Sequence, residues 1–202
     1  MKWNKIPNDK IIEITEKALK KNGIAVYVVD NRKEALKKAL SLIPKGSEVM
    51  TMSSVTLDTL GISKEINESG KYNAVRPRLF TMDRTTQARE MAKLGATPDL
   101  AIGSVHAVTE DGHVLIASNT GSQLPAYVYA AGKVIWVVGA QKIVKNIDEG
   151  MKRLYEYTLK LESKRLKSLY GVKSNVSKIL IINKEINPNR ITLIFVKENI
   201  GF

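Results

Sequence analysis

The chain has 202 residues, of which 44% are hydrophobic and 26% charged, and its formal net charge is +12 at pH 7. This composition is typical of a globular protein and excludes disordered and fibrous classes. The absence of cysteine excludes disulfides, cysteine-ligated zinc, iron–sulfur clusters bound by this chain, and thiol catalysis. The longest apolar runs, at 24–29 and 134–138, fall far short of the roughly 20 residues that a membrane span needs. Because the start of the sequence also lacks an apolar signal core, we expect a soluble, cytoplasmic protein.

The positive charge is unevenly distributed along the chain. Residues 1–50 carry 11 basic and 6 acidic groups, residues 141–202 carry 13 and 6, and the centre carries 8 of each. A basic chain can bind nucleic acid, but aromatic residues make up only 6% of this one and form no basic stacking platform. The lysine-rich flanks therefore indicate solvated helix faces rather than a nucleic-acid interface.

Hydrophobic periodicity and capping residues predict the elements in chain order. The chain begins with a helix over 8–22, a buried strand over 24–29, a helix over 31–43 and a strand over 48–52. A helix from Ser53 to Gly70, interrupted near Gly61, precedes a loop or weak strand over 74–80 and a helix over 83–94. Then come strands over 99–109 and 113–118, a helix over 122–131, a strand over 134–138 and a long helix after Asn146. Strands over 178–182 and 191–196 follow.

The alternation of strands and helices predicts an α/β fold, a layered sandwich with a mixed, largely parallel sheet and one hairpin over 99–118. No linker rich in serine, glycine or proline divides the sequence, so we predict a single domain over 1–202. We expect the N-terminal helix (about 8–22) and a C-terminal strand pair (about 178–197) to be appendages of that domain. The turn Asn187-Pro188-Asn189 would join the two strands of the pair.

The predicted hairpin allows a specific expectation about its side chains. If Asp111-Gly112 is a two-residue turn, the ladder places His106 opposite Ala117 and Ser104 opposite Asn119. These side chains then share one face at the open end of the hairpin. His106 is positioned there as a proton shuttle. The alternative is a histidine hydrogen-bonded inside the sheet.

Two segments, 49–56 and 116–123, have the order strand, polar turn, helix. In an open α/β sheet, ligands bind at such turns, at the carboxyl ends of the strands. The residues that we expect to contact an anion there are Ser53, Ser54, Thr56, Asn119, Thr120, Gly121, Ser122 and Gln123. The alternative is that Ser54 and Ser122 only cap helices. Neither segment matches a P-loop or a dinucleotide fingerprint, so we predict no nucleotide cofactor.

Further polar and basic candidates lie after strand 134–138 and in the irregular centre. Gln141 and Lys142 follow the carboxyl end of a buried strand, so Lys142 can reach an anion in the same cleft unless it faces solvent. Of the four arginines between residues 76 and 89 we expect one ligand contact, and Arg84, at a predicted helix start, is a candidate. No close cluster of histidine and carboxylate residues exists in the sequence, so we predict no metal site and no cofactor.

Three motifs occur in order at 46–57, 99–112 and 135–144: a Ser-Val-Thr turn, an Ala-Val-Thr-Glu-Asp-Gly hairpin and a Lys-Ile-Val segment. In this order and spacing they resemble the LUD (lactate-utilisation) domain family. The resemblance covers about residues 17–165, with a final match at 190–196. It implies a fold like that of the sugar-phosphate isomerase and CoA-transferase group. It also implies a role in oxidising lactate to pyruvate alongside iron–sulfur partner subunits.

This sequence departs from the family pattern in three places. Ser122-Gln123 stands where many relatives have Asn-Arg, and Gln141-Lys142 stands where they have Asn-Lys. Lys173-Ser-Asn-Val-Ser replaces a cysteine-rich segment that binds metal in some relatives. Any iron–sulfur cluster would therefore belong to partner subunits. Because position 123 is not arginine, one guanidinium that could bind a carboxylate through two hydrogen bonds is missing.

We therefore expect a LUD-type protein that binds a small anionic metabolite, a carboxylate or phosphate, in a cleft at the strand ends. It would be a component of lactate or related organic-acid oxidation; whether it is an enzyme, and whether it forms homo-oligomers, stays open. Fold analogy offers an isomerase or a CoA or acyl transferase as the alternative. A transferase with a glutamyl intermediate needs a glutamate in the cleft, and Glu110, in the hairpin motif, lies at the far end of the hairpin. Nucleic-acid binding is a weaker alternative, and no membrane partner is expected.

Overall fold

The computed structural model describes residues 2–202. Its α-helices are α1 (Asp9–Lys21), α2 (Arg32–Ser41), α3 (Val55–Thr59), α4 (Ile62–Glu68), α5 (Val75–Thr81), α6 (Ala88–Ala96), α7 (Ile147–Arg153) and α8 (Leu159–Tyr170). Short 3-10 turns cover Lys2–Asn4 and Ala140–Lys142, and π-helical segments cover Ala126–Ala130 and Leu154–Thr158. The second π segment joins α7 to α8, which confirms the long helix predicted after Asn146. No helix within residues 2–202 combines the length and apolar content needed to cross a membrane.

Two sheets organise the fold. The strands are β1 (Ala25–Val29), β2 (Glu48–Thr51), β3 (Asn73–Ala74), β4 (Leu100–Gly103), β5 (Ala107–Thr109), β6 (Val114–Ser118), β7 (Lys133–Gly139), β8 (Ile143–Val144), β9 (Lys178–Ile182) and β10 (Ile191–Val196). The main sheet is parallel throughout, in the order β1-β10-β7-β4-β2-β3. The second sheet has the order β8-β5-β6-β9 and mixes parallel with antiparallel pairs. The predicted α/β sandwich with a largely parallel sheet is confirmed, with the antiparallel pairs confined to the second sheet.

Local sequence signals begin several helices as predicted. The side chains of Asn8, Asn31 and Asn146 each accept a hydrogen bond from the backbone N–H three residues later, at the starts of α1, α2 and α7. Each of these caps satisfies one of the N–H groups that a helix start leaves without an intrahelical partner. Because capping of this kind depends only on neighbouring residues, it can be predicted from the sequence.

The main sheet is buried on both faces, and alternate residues of β7 enter two different cores. Trp136 and its even-numbered neighbours pack with Phe195, α1 and the inner face of the second sheet. Ile135 and Val137 pack with α2, α3 and α4 on the opposite face. The outer face of the second sheet packs against Leu154 and neighbouring residues of the α7–α8 segment. The layers thus bring the second sheet and the α7–α8 segment to one side of the main sheet.

The predicted strand over 99–109 is wrong as a single element, because the structure divides it between the two sheets. Its first half, β4, pairs with β2 and β7 in the main sheet. The chain then crosses at residues 104–106, and only β5 pairs with β6. The hairpin is consequently much shorter than 99–118.

The register of that hairpin also differs by one residue from the prediction. Val108 pairs with Val114, so His106 does not pair with Ala117 in the ladder. Thr109 and His113 close the loop, because the Thr109 N–H donates to His113 O and the His113 N–H donates to Thr109 Oγ1. Residues 110–112 therefore form a three-residue connection. The Thr109 hydroxyl stabilises it by accepting the hydrogen bond from the His113 N–H.

The last two strands do not form a pair. β9 lies antiparallel to β6 in the second sheet, whereas β10 lies between β1 and β7 in the main sheet. All but one of the β10 residues are buried, which requires strands on both sides and packing on both faces. Between them, Arg190 Nε and Glu185 Oε2 form a buried ion pair at 2.7 Å.

The centre of the chain is more helical than predicted. The expected loop or weak strand over 74–80 is the short strand β3 followed by α5. The helix predicted from Asp83 begins five residues later, as α6. The Asp83 carboxylate instead accepts hydrogen bonds from Thr85 and Thr86, which holds residues 83–86 in a turn.

Candidate functional site

A pocket of about 530 Å³ lies where β2 and β4 end and the chain crosses to the second sheet. Residues of α8, residues 174–176 and Phe202 complete its wall. The predicted site residues that line it are Ser53, Ser54, Thr56, Ser104, His106, Asn119, Thr120, Ser122, Gln123 and Lys142. The structure thus brings together four segments that are distant in the sequence and that follow β2, β4, β6 and β7.

Lys142 is the central basic residue of this pocket. It ends the 3-10 turn that follows β7, and its side chain is only 2% exposed. Its ammonium nitrogen lies 3.2 Å from Thr56 Oγ1, 3.1 Å from Ser104 Oγ and 3.1 Å from Val105 O. Burial, together with the nearby charge of Arg153, holds the pKa of Lys142 well below its usual range. The lysine therefore faces the cleft and not the solvent.

His106 lies beside Lys142 on the crossing between the two sheets. Its Nδ1 accepts a hydrogen bond from the Ala117 N–H at 3.1 Å, so the neutral ring carries its proton on Nε2. Burial, together with the charges of Lys142 and Arg153, lowers the pKa of His106 to about 3. A ring with this pKa is a neutral hydrogen-bond donor near pH 7, which differs from the proton shuttle expected from the sequence.

Arg153 is a second buried basic residue next to the pocket. Its Nη1 donates to His106 O and, at 3.0 Å, to Thr158 Oγ1. The π-helical segment that follows Arg153 widens the turn and brings Thr158, five residues later, within reach. Nε and Nη2 of Arg153 are buried without a hydrogen-bond partner among the described residues, although its guanidinium carbon lies 5.2 Å from the Tyr157 ring centroid. Burial lowers the pKa of Arg153 to about 10.

Two further large side chains line the pocket, Arg76 from α5 and Tyr127 from the π-helical segment Ala126–Ala130. Arg76 donates from Nε to Thr51 O at 2.6 Å, at the carboxyl end of β2, and burial lowers its pKa. Tyr127 is buried edge-on against Trp136, and its phenol lies over Gly103, where an added Cβ would meet the hydroxyl oxygen at 1.8 Å. Glycine at the end of β4 is therefore what admits Tyr127 to the pocket wall.

The polar segment at 118–123 is largely hydrogen-bonded to itself. The Gly121 N–H donates to Ser118 Oγ at 2.8 Å, and the Ser122 N–H donates to Thr120 Oγ1 at 3.3 Å. Asn119 Oδ1 accepts from Ser177 Oγ at 3.1 Å. The backbone N–H groups expected to face an anion thus already have hydroxyl partners, whereas the side chains of Thr120 and Ser122 line the pocket.

Other candidates have structural roles or lie elsewhere. Ser54 caps α3 by accepting from the Leu57 N–H at 3.3 Å, although it also lines the pocket. Gln141 is buried and donates to Ile200 O at 2.9 Å, so it holds the C-terminal segment. Arg84 is exposed, and neither it nor Gln141 nor Gly121 is among the residues that line the pocket.

Two acidic residues, Asp58 and Glu162, line the pocket. Glu162 accepts two hydrogen bonds of 2.7 Å from Arg165, which lies three residues later in α8. Asp58 is exposed at the end of α3. Within residues 2–202 no group of three histidine or carboxylate side chains is arranged to hold a metal ion.

The family model of the LUD domain matches residues 12–196, nearly the whole chain. The chain belongs to the LUD domain family. A crystal structure of a DUF162 family protein from Deinococcus radiodurans is similar to this LUD domain, with a TM-score of 0.57 at 12% sequence identity. The similarity covers 94% of this chain and 99% of the other, and at this identity it concerns the fold. The search of curated proteins finds no match.

Sequence reasoning missed Arg165, which lines the pocket of this LUD domain, and Arg153, which is buried next to it. Both lie in the lysine-rich segment after Asn146, which was interpreted as a solvated face. The signal that could have found them is the residue type, because the other basic residues of α7 and α8 are lysines. Arginine is the better residue for buried, planar hydrogen bonding.

Proposed function

We propose that this LUD domain binds a small anionic metabolite, with a carboxylate or phosphate group, in the pocket beside Lys142. The observation that carries the proposal is that Lys142 and Arg153 are buried basic side chains with no carboxylate among their partners in residues 2–202. A buried positive charge is costly unless an opposite charge accompanies it. An anion in the pocket would supply that charge.

The neutral groups around Lys142 suit the same ligand. Ser104 and Thr56 present hydroxyl groups, and His106 presents an Nε2–H donor. The Arg76 guanidinium lines the same pocket, and only its Nε is hydrogen-bonded within the described chain. These donors can surround the oxygens of one small carboxylate or phosphate, which fixes its orientation.

The proposal includes the small organic acids to which the lactate-utilisation name of the family refers. Lactate carries a carboxylate and a hydroxyl, and both match the donors beside Lys142. Because the sequence has no cysteine, the iron–sulfur centres of such an oxidation would be carried by partner subunits.

A transferase with a glutamyl intermediate is the alternative that fold analogy suggests. Glu162 is the glutamate that lines the pocket, and both of its oxygens are occupied by Arg165. Glu110 lies in the hairpin loop, away from the pocket. Neither glutamate is placed as a free nucleophile, so anion binding is the better supported function.

The test is ligand-induced thermal stabilisation at constant ionic strength, with inorganic phosphate, glycolate and lactate as probes and ethylene glycol as the uncharged control. A ligand at about 100 times its Kd stabilises by about 2.7 kcal/mol, and each kcal/mol raises Tm by roughly 2–4 °C in a chain of this size. We expect wild type and the matched surface variant Lys145→Met to respond and Lys142→Met to lose the response. The proposal fails if no anion raises Tm, or if Lys142→Met responds as wild type does.

A further inference from the structure

We propose that Lys142 is a nucleophilic amine that forms an imine with the aldehyde or ketone group of an anionic carbonyl compound bound in the pocket. The proposal rests on the proposed function and narrows its ligand to molecules that carry both an acidic group and a carbonyl. It concerns one atom, Lys142 Nζ, at the wall of the pocket.

The partners of Lys142 Nζ fit a neutral amine as well as an ammonium. Val105 O can only accept a hydrogen bond, but the hydroxyls of Thr56 and Ser104 can either accept or donate. An ammonium donates to all three oxygens. A neutral amine donates to Val105 O and to one hydroxyl, and receives a hydrogen bond from the other. A carboxylate in place of either hydroxyl would favour the charged form.

Without a bound anion, the surroundings of Lys142 favour the free amine, because no opposite charge offsets the cost of burying an ammonium. The side chain is 2% exposed, and the charge that acts on it is the positive Arg153. Both effects lower its pKa, and a buried lysine with a low pKa is the form that attacks carbonyl groups. Exposed lysines of the chain, such as Lys145, lack this burial.

The reaction is a condensation that balances without any further reactant. The Nζ lone pair attacks the carbonyl carbon, a C–N bond forms, and the C=O electron pair moves to oxygen. The nitrogen transfers its protons to that oxygen, which leaves as water, and a C=N bond remains. The products are one imine and one water from one amine and one carbonyl. The Nε2–H of neutral His106 can donate a hydrogen bond to the oxygen as it gains electron density.

Arg76 provides a separate position for the acidic group of the ligand. Its Nη atoms have no hydrogen-bond partner among the described residues, while Nε anchors the side chain to Thr51 O. Because Lys142 and Arg76 line the same pocket, together they would select a molecule that carries both functions. A carbonyl compound without an acidic group would lack the second contact.

The experiment is reductive trapping of the full chain with cyanoborohydride. The probes are glyoxylate and glycolaldehyde phosphate, with glycolaldehyde as the uncharged comparison, and mass spectrometry locates the adduct. Because each unit by which a pKa falls raises the free-amine fraction about tenfold near pH 7, we expect Lys142 to be labelled at least about tenfold faster than Lys145. Lys142→Met should lose the fast adduct and Lys145→Met should keep it.

Binding of each anionic probe is measured in parallel by thermal stabilisation without reductant. Stabilisation with no adduct on Lys142 overturns the imine and leaves the anion site intact. Neither stabilisation nor adduct overturns both proposals. Labelling spread evenly over exposed lysines, or equal rates for glycolaldehyde and its phosphate, also overturns the assignment. Mapping the adduct on wild type keeps the test decisive even if Lys142→Met folds poorly.

Discussion

The Ala117 backbone N–H donates a hydrogen bond to Nδ1 of His106, 3.1 Å away. The bond forms although the two residues are not paired in the hairpin ladder, because the His106 side chain reaches across from the crossing between the sheets. It determines which nitrogen of the neutral ring carries the proton, so Nε2–H is the donor that His106 offers.

His106 should therefore stay in the Nε2–H form throughout the range in which an ordinary histidine titrates. Nitrogen-15 NMR of the imidazole should show an unprotonated Nδ1 and no titration between pH 8 and pH 5, with His106→Gln assigning the signal. Protonation at low pH opposes folding, because the folded pKa of about 3 lies below the usual value of 6.5. Its contribution to stability is complete above pH 6.5 and falls by up to about 1.4 kcal/mol per pH unit toward pH 3. A midpoint near pH 6.5 in the folded protein would contradict this prediction.

Lys142 should make stability rise with pH in the alkaline range. Its folded pKa lies well below the usual 10.5, so the unfolded chain binds more protons between those two values and stability increases as pH rises. Urea unfolding at pH 7 and pH 9.5 should show wild type gaining stability relative to Lys142→Met, by at most about 1.4 kcal/mol per pH unit. The difference between the two proteins removes the effect of the other lysines. An unchanged difference at both pH values would mean that Lys142 is not perturbed.

Gly103 and Tyr127 should be energetically coupled. An alanine Cβ at position 103 would overlap the Tyr127 hydroxyl, so Gly103→Ala should destabilise by about 1–3 kcal/mol, as overpacking of a core does. Tyr127→Phe removes the closest atom and should recover much of that loss in the double variant. Chemical denaturation of the four proteins in a double-mutant cycle measures the coupling. Strictly additive effects would show that the two residues do not compete for space.

Gln141 should act on the C-terminal segment and not on the ligand. Its amide donates to Ile200 O at 2.9 Å and to Gly201 O at 3.3 Å. At about 0.5–1.5 kcal/mol for each hydrogen bond, Gln141→Ala should cost roughly 1–3 kcal/mol and lower the NMR order parameters of residues 200–202. The stabilisation by phosphate should persist in this variant. If phosphate no longer stabilised the variant while the order parameters of residues 200–202 were unchanged, Gln141 would instead take part in ligand binding.

The position of Lys142 could be anticipated from the sequence, whereas its environment could not. A residue just beyond a buried strand must lie at the strand's carboxyl end, and parallel strands bring their carboxyl ends to one edge. That argument placed the Thr56 segment and Lys142 in one cleft, and the structure brings Lys142 Nζ within 3.2 Å of Thr56 Oγ1. Ser104 was expected in the cleft from the hairpin ladder, whose register differs in the structure. Neither argument contained information about Arg153, because a basic residue on a lysine-rich helix has the same local pattern whether it is buried or solvated.

The sequence by itself determined where several helices start, because caps such as Asn8, Asn31 and Asn146 act on neighbours three residues away. It also determined the α/β class, since alternating strands and helices pack into layers. Only the tertiary structure decided the partners of each strand. The strand predicted over 99–109 is divided, and β9 and β10 enter different sheets, because pairing depends on burial by residues far away in the chain. The same distant packing encloses Lys142 and Arg153 together without a carboxylate, and that enclosure carries the functional proposal.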